Sequence, residues 1–568
     1  MGILNFLSAN CKSCYKCLRA CPVKAIRFKD EQAQIDEDRC IGCGTCFYTC
    51  PQNARNIKSD IDLVKEAIKE GRDVVVSIAP SFPAEFHGIN PFKVPAVLKK
   101  LGIKYVEETA FGAEIVSNLY SNYIKSSSED VYITTACPSV NLFIQKYFPS
   151  ITKFMLPFVS PMIAHSRVIR KKYNNPFVVF IGPCIGKKLE KEDFQTEDAI
   201  DAVLTFDEMT HWLKEEGIDF NSLEPESFDT DASLRGKIFP FSGGILKGLK
   251  NQDCMNEYEI ISADGEEMCR DTFTSIESGE LKKVIVEANF CKGGCVGGPC
   301  LRNNQGIFTK KLEVKDYAKD AVYEISDKKI FDIDFTKYYF DRSLKPLNPS
   351  EEDIKNILSS MGKFSEKDEL NCGVCGYNTC KEKAMAIYAG MAEPSMCLKY
   401  MRDKAESMSN ITIENSLNGI IMIDEDTMIK EFNPAAEMIF NCKFEDVKDN
   451  PISLFMEPED FYHVLDTKEN ILNKKVILKD QNKVIVENLI YIEKQKMVLT
   501  ILQDVTEVER GKEKLKEVKM ETLDAAQKVI EKQMTTAQEI ASLLGETTAE
   551  TKVILTKLKN IALSEDDI

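Results

Sequence analysis

The sequence predicts a multidomain protein of mixed α/β and α+β architecture, and three observations carry that expectation. A four-cysteine pattern occurs twice near the start of the chain. Four short apolar runs further on each end in a chemically unusual stretch, and a strand-rich region with a single cysteine follows late. The expected divisions are a two-cluster domain over 1–60, an α/β domain over 62–345, a small four-cysteine domain over 350–405, a strand-rich domain over 408–508 and a helix over 509–568.

Composition narrows the classes. The chain of 568 residues carries twenty cysteines and a net charge of −17, and 43% of it is hydrophobic. That charge disfavours a broad electrostatic grip on nucleic acid or anionic lipid, so neither is expected as a partner. No apolar run approaches the ~20 residues that span a bilayer, and the start (MGILNFLSANCKSC) has no secretory pattern. Phe6 stands where a lipidation signal has Ser or Thr. The expected compartment is the cytoplasm, where clustered cysteines are metal ligands rather than a disulfide framework.

The first 60 residues justify the opening domain. CKSCYKCLRACP (11–22) recurs as CIGCGTCFYTCP (40–51), each residue of the first copy having its counterpart 29 positions on. Both copies follow the C-x2-C-x2-C-x3-C-P spacing of a bacterial-type ferredoxin with two 4Fe-4S clusters. A short loop wraps three thiolates around a cube, and the proline turns the fourth towards the other cluster. Cys11, Cys14, Cys17 and Cys50 are expected to hold one cube, and Cys40, Cys43, Cys46 and Cys21 the other. A zinc module is the competing reading of such cysteines and seldom uses all eight in this pattern.

Alternating strand and helix patterns occupy 62–345. The apolar runs VVVSIA (74–79), VYITTA (131–136), FVVFIG (177–182) and KVIVEA (283–288) run into PSF, CPSV, PCIGKK and NFCKGGCVGGPC. Sites in open α/β sheets lie beyond the carboxyl ends of strands, so four such ends would gather Cys137, Cys184, Cys291 and Cys295. Buried free thiols are the competing reading for any one of them.

A linker over 346–370 contains a helix that Ser350 is placed to cap. Cys372, Cys375, Cys380 and Cys397 then follow at a C-x2-C-x4-C-x16-C spacing, with CKEKAMAIYAGMA as a covering helix. A further 4Fe-4S cluster and a structural zinc both suit four thiolates. Over 410–508, GIIMID, MIKEFN, KVILKD, KVIVENLIYIE and KMVLTILQDVTE form strands with one helical flank. From 509 to 560 the chain is charged, free of proline and helical, with apolar residues at Leu515, Val518, Val529, Ile540 and Leu543. A dimerising or amphipathic helix is expected there.

The middle domain resembles the iron-iron hydrogenases. That family's TSCCP motif stands here as TTACP (134–138), its PCxxKxxE as PCIGKKLE (183–190), and its ExMxCxxGCxxGG as EANFCKGGCVGG (287–298). The ferredoxin and four-cysteine modules resemble parts attached to members of the family, and 410–508 resembles a PAS domain. The resemblance implies an H-cluster, a 4Fe-4S cube joined by one cysteine to a two-iron centre with CO and CN ligands. Carried over, Cys137, Cys184, Cys291 and Cys295 hold the cube and Cys295 bridges. Lys187 matches a lysine that donates to a cyanide, and Ala79, Pro80 and Ser81 match a loop facing the diatomic ligands. A fully loaded chain would carry three further 4Fe-4S clusters.

The departures from the family pattern concern protons. Ala136 stands where hydrogen-producing members keep a second cysteine, the last proton donor; a thiol with a pKa near 8.5 shuttles protons and a methyl does not. Leu119 and Tyr120 fall where the family has glutamates, and Gly182, Asn289 and Met162 replace two methionines and a glutamine near the two-iron centre. These features imply a slow hydrogenase attached to a PAS module, a hydrogen sensor of the sensory type. The four-cysteine cluster is expected beside that module. Its implied partners are dihydrogen and protons, ferredoxin, maturation proteins, a downstream signalling protein and a second copy of the chain. A working ferredoxin-linked hydrogenase is one rival, and a 4Fe-4S relay scaffold without the two-iron centre is another. Cys254, Cys269, Cys300 and Cys442 are left as free thiols, and His463 as an ordinary histidine rather than a haem ligand.

Overall fold

The two copies of the cysteine pattern share one backbone. In the computed structural model, which describes residues 4–6, 10–29, 32–230, 232–249, 257–301, 303, 305–319, 321, 332–345, 347–544, 553–554 and 556–557, left-handed φ angles recur at matching positions. Ser13 pairs with Gly42, Tyr15 with Gly44 and Lys24 with Asn53. Tyr15 and Gly44 precede the short helices Lys16–Ala20 and Thr45–Thr49 at φ 56° and 74°. Glycine takes that conformation freely and tyrosine at a cost; the Tyr15 ring packs edge-on to Phe28 with centroids 4.7 Å apart. Four strands frame the module: β1 (Leu4–Phe6), β2 (Ile26–Lys29), β3 (Gln32–Ile35) and β4 (Arg55–Ile57). β1 pairs antiparallel with β4, and β2 with β3.

Two parallel sheets build the middle region. β5 (Val74–Ile78), β6 (Tyr105–Glu108), β8 (Phe177–Gly182) and β9 (Ala202–Thr205) form one sheet in the order β6-β5-β8-β9. The other has the order β10-β11-β7, with β7 at Val131–Ile133, β10 at Glu259–Asp264 and β11 at Val284–Asn289. Every residue of β5, β8 and β11 is buried, as continuous apolar runs in parallel strands covered on both faces require. Each fully buried Val, Ile or Phe side chain there contributes about 1.5–3 kcal/mol. The four strands singled out in the sequence all form. They divide as adjacent pairs, β5 with β8 and β7 with β11, so their carboxyl ends come from two sheets.

The four-cysteine module packs on the ferredoxin-like part, not only on its sequence neighbours. The Arg19 guanidinium donates to the Val374 carbonyl at 2.9 Å and the Lys24 ammonium to the Gly376 carbonyl at 2.9 Å. The Phe28 amide donates to the Met391 carbonyl at 3.1 Å. Ser350 caps the helix Glu351–Ser360 in a reciprocal capping box with Asp353, as its sequence indicates. The chain divides into two units by contacts, Met1–Tyr400 and Met401–Ile568. The three iron–sulfur regions expected as separate domains thus lie within one unit.

The second unit holds β12 (Gly419–Ile423), β13 (Ile429–Phe432), β14 (Ile471–Leu478), β15 (Lys483–Ile492) and β16 (Met497–Asp504). They form one antiparallel sheet in the order β13-β12-β16-β15-β14. Alternate residues of β12, β15 and β16 are the more deeply buried, the pattern of a sheet covered on one face. The helices Pro434–Phe440 and Glu459–Thr467 lie between β13 and β14, and Phe440 and Phe461 are buried in this unit's core. The helix Thr506–Leu544 follows, with Val508, Leu515, Val518, Val529 and Ile540 exposed. Among the described residues no helix is long and apolar enough to cross a membrane.

Candidate metal centres

The carboxyl ends of β5, β7, β8 and β11 enclose a cavity of about 90 Å3 lined by Cys137, Cys184, Cys291 and Cys295. Each ligand has a local reason to be there. Cys137 caps the helix Pro138–Tyr147, whose first residue is proline, so the helix presents its positive amino-terminal end at this thiol. Cys184 follows β8 by two residues and Cys291 follows β11 by two. Cys295 follows Gly294, which has φ 82° and whose missing Cβ would lie 2.4 Å from the Pro240 carbonyl oxygen. Only glycine fits that approach. Cys295 is exposed, and it lines the cavity.

Burial raises the Cys184 thiol to about 11 and the Cys295 thiol to about 12, neighbouring thiols adding to the shift and Lys187 opposing it. Cys291 is raised well above its ordinary value for the same reason. Thiols so raised ionise together only when bound metal supplies compensating positive charge. Among the described residues no three His, Cys, Asp or Glu side chains close on a point as around a single ion. This quartet instead rings a space.

The remaining sequence-selected residues divide. Ala79, Pro80, Ser81, Ala136, Met162, Lys187 and Asn289 all line the cavity. The Lys187 ammonium donates to the Ala136 carbonyl at 3.2 Å and to Glu190 Oε2 at 2.7 Å. The Ser81 hydroxyl is buried at the wall without a protein partner. Gly182 stands off the wall: a Cβ there would sit 2.6 Å from the Phe180 ring, and Phe180 faces the cavity in its place. Tyr120 is fully buried, its hydroxyl accepting from the Thr135 amide at 3.0 Å. Burial pushes it up to about 12, so it keeps its proton near neutrality. Cys269 is buried, with its thiol 3.5 Å from the Asn289 carbonyl oxygen. Cys300 is buried, Cys442 belongs to the second unit, and Cys254 lies outside the described residues. Thr109 and Phe180 are wall residues that the motifs did not mark; Thr109 follows β6, a strand end with no cysteine to draw attention to it.

Among the ferredoxin-type thiols, Cys21, Cys40, Cys43 and Cys46 lie within electrostatic reach of one another. Cys21 acts electrostatically on Cys43 and Cys46, and Cys40 acts on all three, whereas Cys17 feels Cys14. Backbone amides of Ala25 and Ala54 donate to the sulfurs of Cys21 and Cys50 at 3.2 and 3.4 Å, again 29 residues apart. Such bonds stabilise cluster thiolates. Cys43 also lines the central cavity, so the quartet of Cys21, Cys40, Cys43 and Cys46 adjoins it. A smaller cavity of about 30 Å3 is lined by Cys372, Cys375, Cys380 and Cys397 together with Lys383, a lysine only 2% exposed. A buried cation among four thiols fits a site of net negative charge.

Residues 72–299 match the family described as iron only hydrogenase large subunit, C-terminal domain. Residues 10–54 match a 4Fe-4S dicluster domain, and 368–398 match an Fe-S cluster family. Among curated relatives, Protein NAR1 of Arabidopsis thaliana is 26% identical over 38% of this chain and 54% of its own length. The periplasmic [Fe] hydrogenase large subunit of Nitratidesulfovibrio vulgaris is 23% identical over 51% of this chain and 90% of its own length. Cytosolic iron-sulfur assembly component 3 of Mus musculus is 26% identical over 35% of this chain and 50% of its own length. The chain thus spans about half the length of the NAR1 and assembly relatives. A solved [FeFe]-hydrogenase HydA1 from Chlamydomonas reinhardtii aligns with half of this chain at 16% identity and a TM-score of 0.40. The protein therefore carries a hydrogenase-like domain joined to a 4Fe-4S dicluster domain and a further iron–sulfur module.

Proposed function

We propose that this chain is an iron–sulfur electron relay whose central cavity holds a 4Fe-4S cube and a two-iron group, and that it reacts slowly with dihydrogen in order to report it. The observation that carries the reading is the unpaired Ser81 hydroxyl, buried on the wall of the cavity that Lys187 and the four thiols also line. A bare cube needs the four cysteines; the buried hydroxyl, with no protein partner, calls for an acceptor or donor beyond them. When bound, the two-iron group would supply reversible cleavage of dihydrogen. The chain's own residues set the conditions around it. Lys187 keeps one of its three donors free of the Ala136 and Glu190 bonds and holds positive charge at the wall. Ala136 offers a methyl where a proton-donating thiol would speed turnover, which supports a slow reaction.

Electrons would leave through the quartet containing Cys43 and continue to the other ferredoxin-type cluster and the 372–397 cluster. The 2-1-5-4-3 strand order of the second unit's antiparallel sheet supports the PAS reading, with the helix Thr506–Leu544 as its output. Exposed Leu515, Val518, Val529 and Ile540 on that helix suit a second copy of the chain or a signalling partner. Maturation proteins would load the two-iron group, and the compartment is the cytoplasm.

The second reading is a 4Fe-4S relay or assembly scaffold with no two-iron centre. The curated relatives favour it over hydrogen sensing, since NAR1 and an assembly component stand among them at 26% identity. Infrared spectroscopy on the full chain, reconstituted with iron and sulfide and then exposed to a two-iron precursor, separates the two. Sharp CO and CN bands sustain the hydrogen reading. Cube spectra without such bands leave the scaffold.

A further inference from the structure

A continuous line of hydrogen-bonding side chains leads from the protein surface to the cavity wall. The Lys172 ammonium, on a side chain 42% exposed, donates to Glu107 Oε1 at 2.6 Å, as does the Tyr173 hydroxyl. The other oxygen, Glu107 Oε2, lies 3.0 Å from His165 Nε2. His165 Nδ1 is 2.8 Å from the Ser77 hydroxyl, which is 2.7 Å from the Thr109 hydroxyl. Thr109 lines the cavity. His165 and Ser77 are completely buried and Glu107 nearly so. The line crosses the heart of the β6-β5-β8-β9 sheet: Ser77 is on β5, Glu107 on β6 and His165 on the helix Pro161–Lys172 beside them.

From this geometry we infer that Glu107, His165, Ser77 and Thr109 form a proton relay that serves the central cavity. Each member both takes and gives a proton, a property that the Ala136 methyl lacks. A proton arriving from water at Lys172 or Tyr173 passes to Glu107 and then to His165 Nε2. The imidazolium releases its Nδ1 proton to Ser77, the Ser77 hydroxyl proton moves to Thr109, and the Thr109 proton enters the cavity. Every O–H or N–H bond formed matches one broken, and one proton is delivered with no change of oxidation state along the line. The electrons for reduction in the cavity come separately, through the thiolate-held clusters. Histidine is suited to this work because both of its ring nitrogens exchange protons near neutral pH.

Core stability alone accounts poorly for the arrangement. Apolar side chains of similar volume stabilise such a position as well as a buried acid–imidazole pair does, or better. Burial would raise the Glu107 carboxyl, yet the bonds from His165, Lys172 and Tyr173 outweigh it and bring it down to about 2. The acid is therefore ionised at rest and orients the imidazole, and it is protonated only in passing a proton from Lys172 or Tyr173 to Nε2. Gly112 lets the helix Ala110–Ser126 approach this point: a Cβ there would sit 2.7 Å from the His165 Cβ.

The inference rests on the reading that the cavity holds a redox group that exchanges protons, and the test keeps the two apart. In the full chain with cubes loaded and oxidised, nitrogen-15 NMR of its four histidines reads exchange of the His165 ring protons with deuterated water. A relay gives exchange that the double variant Lys172→Met with Tyr173→Phe, and separately Ser77→Ala, slow at least tenfold. A sealed structural pair exchanges over hours in every variant, and that result overturns the relay. In the chain also loaded with the two-iron group, Thr109→Val and His165→Gln should lower hydrogen turnover about 10²-fold, with infrared bands retained and a larger solvent deuterium effect. Thr109→Ser should stay within about twofold, since it keeps the hydroxyl. Unchanged turnover in Thr109→Val, with the bands present, overturns the relay. Absence of bands in the parent overturns the two-iron reading instead, and ring-proton exchange then decides whether the line conducts.

Discussion

The Ala136 carbonyl accepts the Lys187 ammonium at 3.2 Å, so the residue whose side chain departs from the hydrogenase pattern still joins the site through its backbone. Ala136→Cys keeps that carbonyl and should leave Lys187 in place. Hydrogen turnover of the matured variant should rise by less than about tenfold, because Tyr120, held up to about 12 by burial, cannot reprotonate the new thiol. A gain of several hundredfold in a gas-exchange assay would mean that another donor already reaches residue 136.

Lys187→Met tests the cation itself. The four thiols remain, so iron analysis should still find the roughly sixteen irons of four cubes. The CO and CN bands should fall to a small fraction of the parent's, since no ammonium remains at the wall. Glu190 would be left buried without its 2.7 Å partner, which lowers stability as well. Full-intensity bands in this variant would remove Lys187 from the site.

Cys380→Ser should take about four irons from a fully loaded total of roughly eighteen and leave the central infrared bands unchanged. Hydrogen should alter amide exchange protection within 410–544 in the parent, and this variant should abolish the change. Equal protection under hydrogen and argon, with the clusters shown reduced, would end the sensor reading and leave a slow enzyme or a scaffold.

Glu487, on β15 and only 2% exposed, is raised to about 7 by burial and then by Asp460, against the pull of Lys474. A carboxyl raised in the folded state binds more protons there than when unfolded. Its stability contribution is therefore lost as pH climbs from the ordinary carboxylate range through 7. The cost above pH 7 is about 3 kcal/mol. Amide protection factors in β15 and β16 should fall between pH 5 and 8 in the parent and stay level in Glu487→Gln, which should be the more stable protein at pH 8. A parallel fall in both proteins would assign the pH dependence to another group.

What the sequence made legible was local. The ferredoxin-type cysteine pattern stood out because cluster chemistry fixes spacings within a dozen residues, and the Ser350 cap because a capping box spans four. Gly182 was placed in the site because it aligns with a methionine; the Phe180 ring two residues earlier takes that space, a substitution visible only once β8 is packed. The division of the four strand ends between two sheets, and the pairing of Glu107 with His165 across 58 residues, depend on long-range packing. No periodicity or motif encodes either. The hold of Arg19 and Lys24 on the loop carbonyls of the late cysteine module, from the other end of the chain, has no local signal either.

That last contact has a consequence for manufacture. The loop at Gly376 lies against Leu18, where a Cβ on the glycine would be only 2.8 Å from the leucine side chain. During translation Leu18 leaves the ribosome more than three hundred residues before Gly376, so at synthesis rates of about 5–20 residues per second it waits tens of seconds for this cover. Throughout that interval the ferredoxin-type cysteines lack their later neighbour and are open to cluster donors. The direction of synthesis thus leaves an interval in which the early sites can be filled before the later loop closes over them.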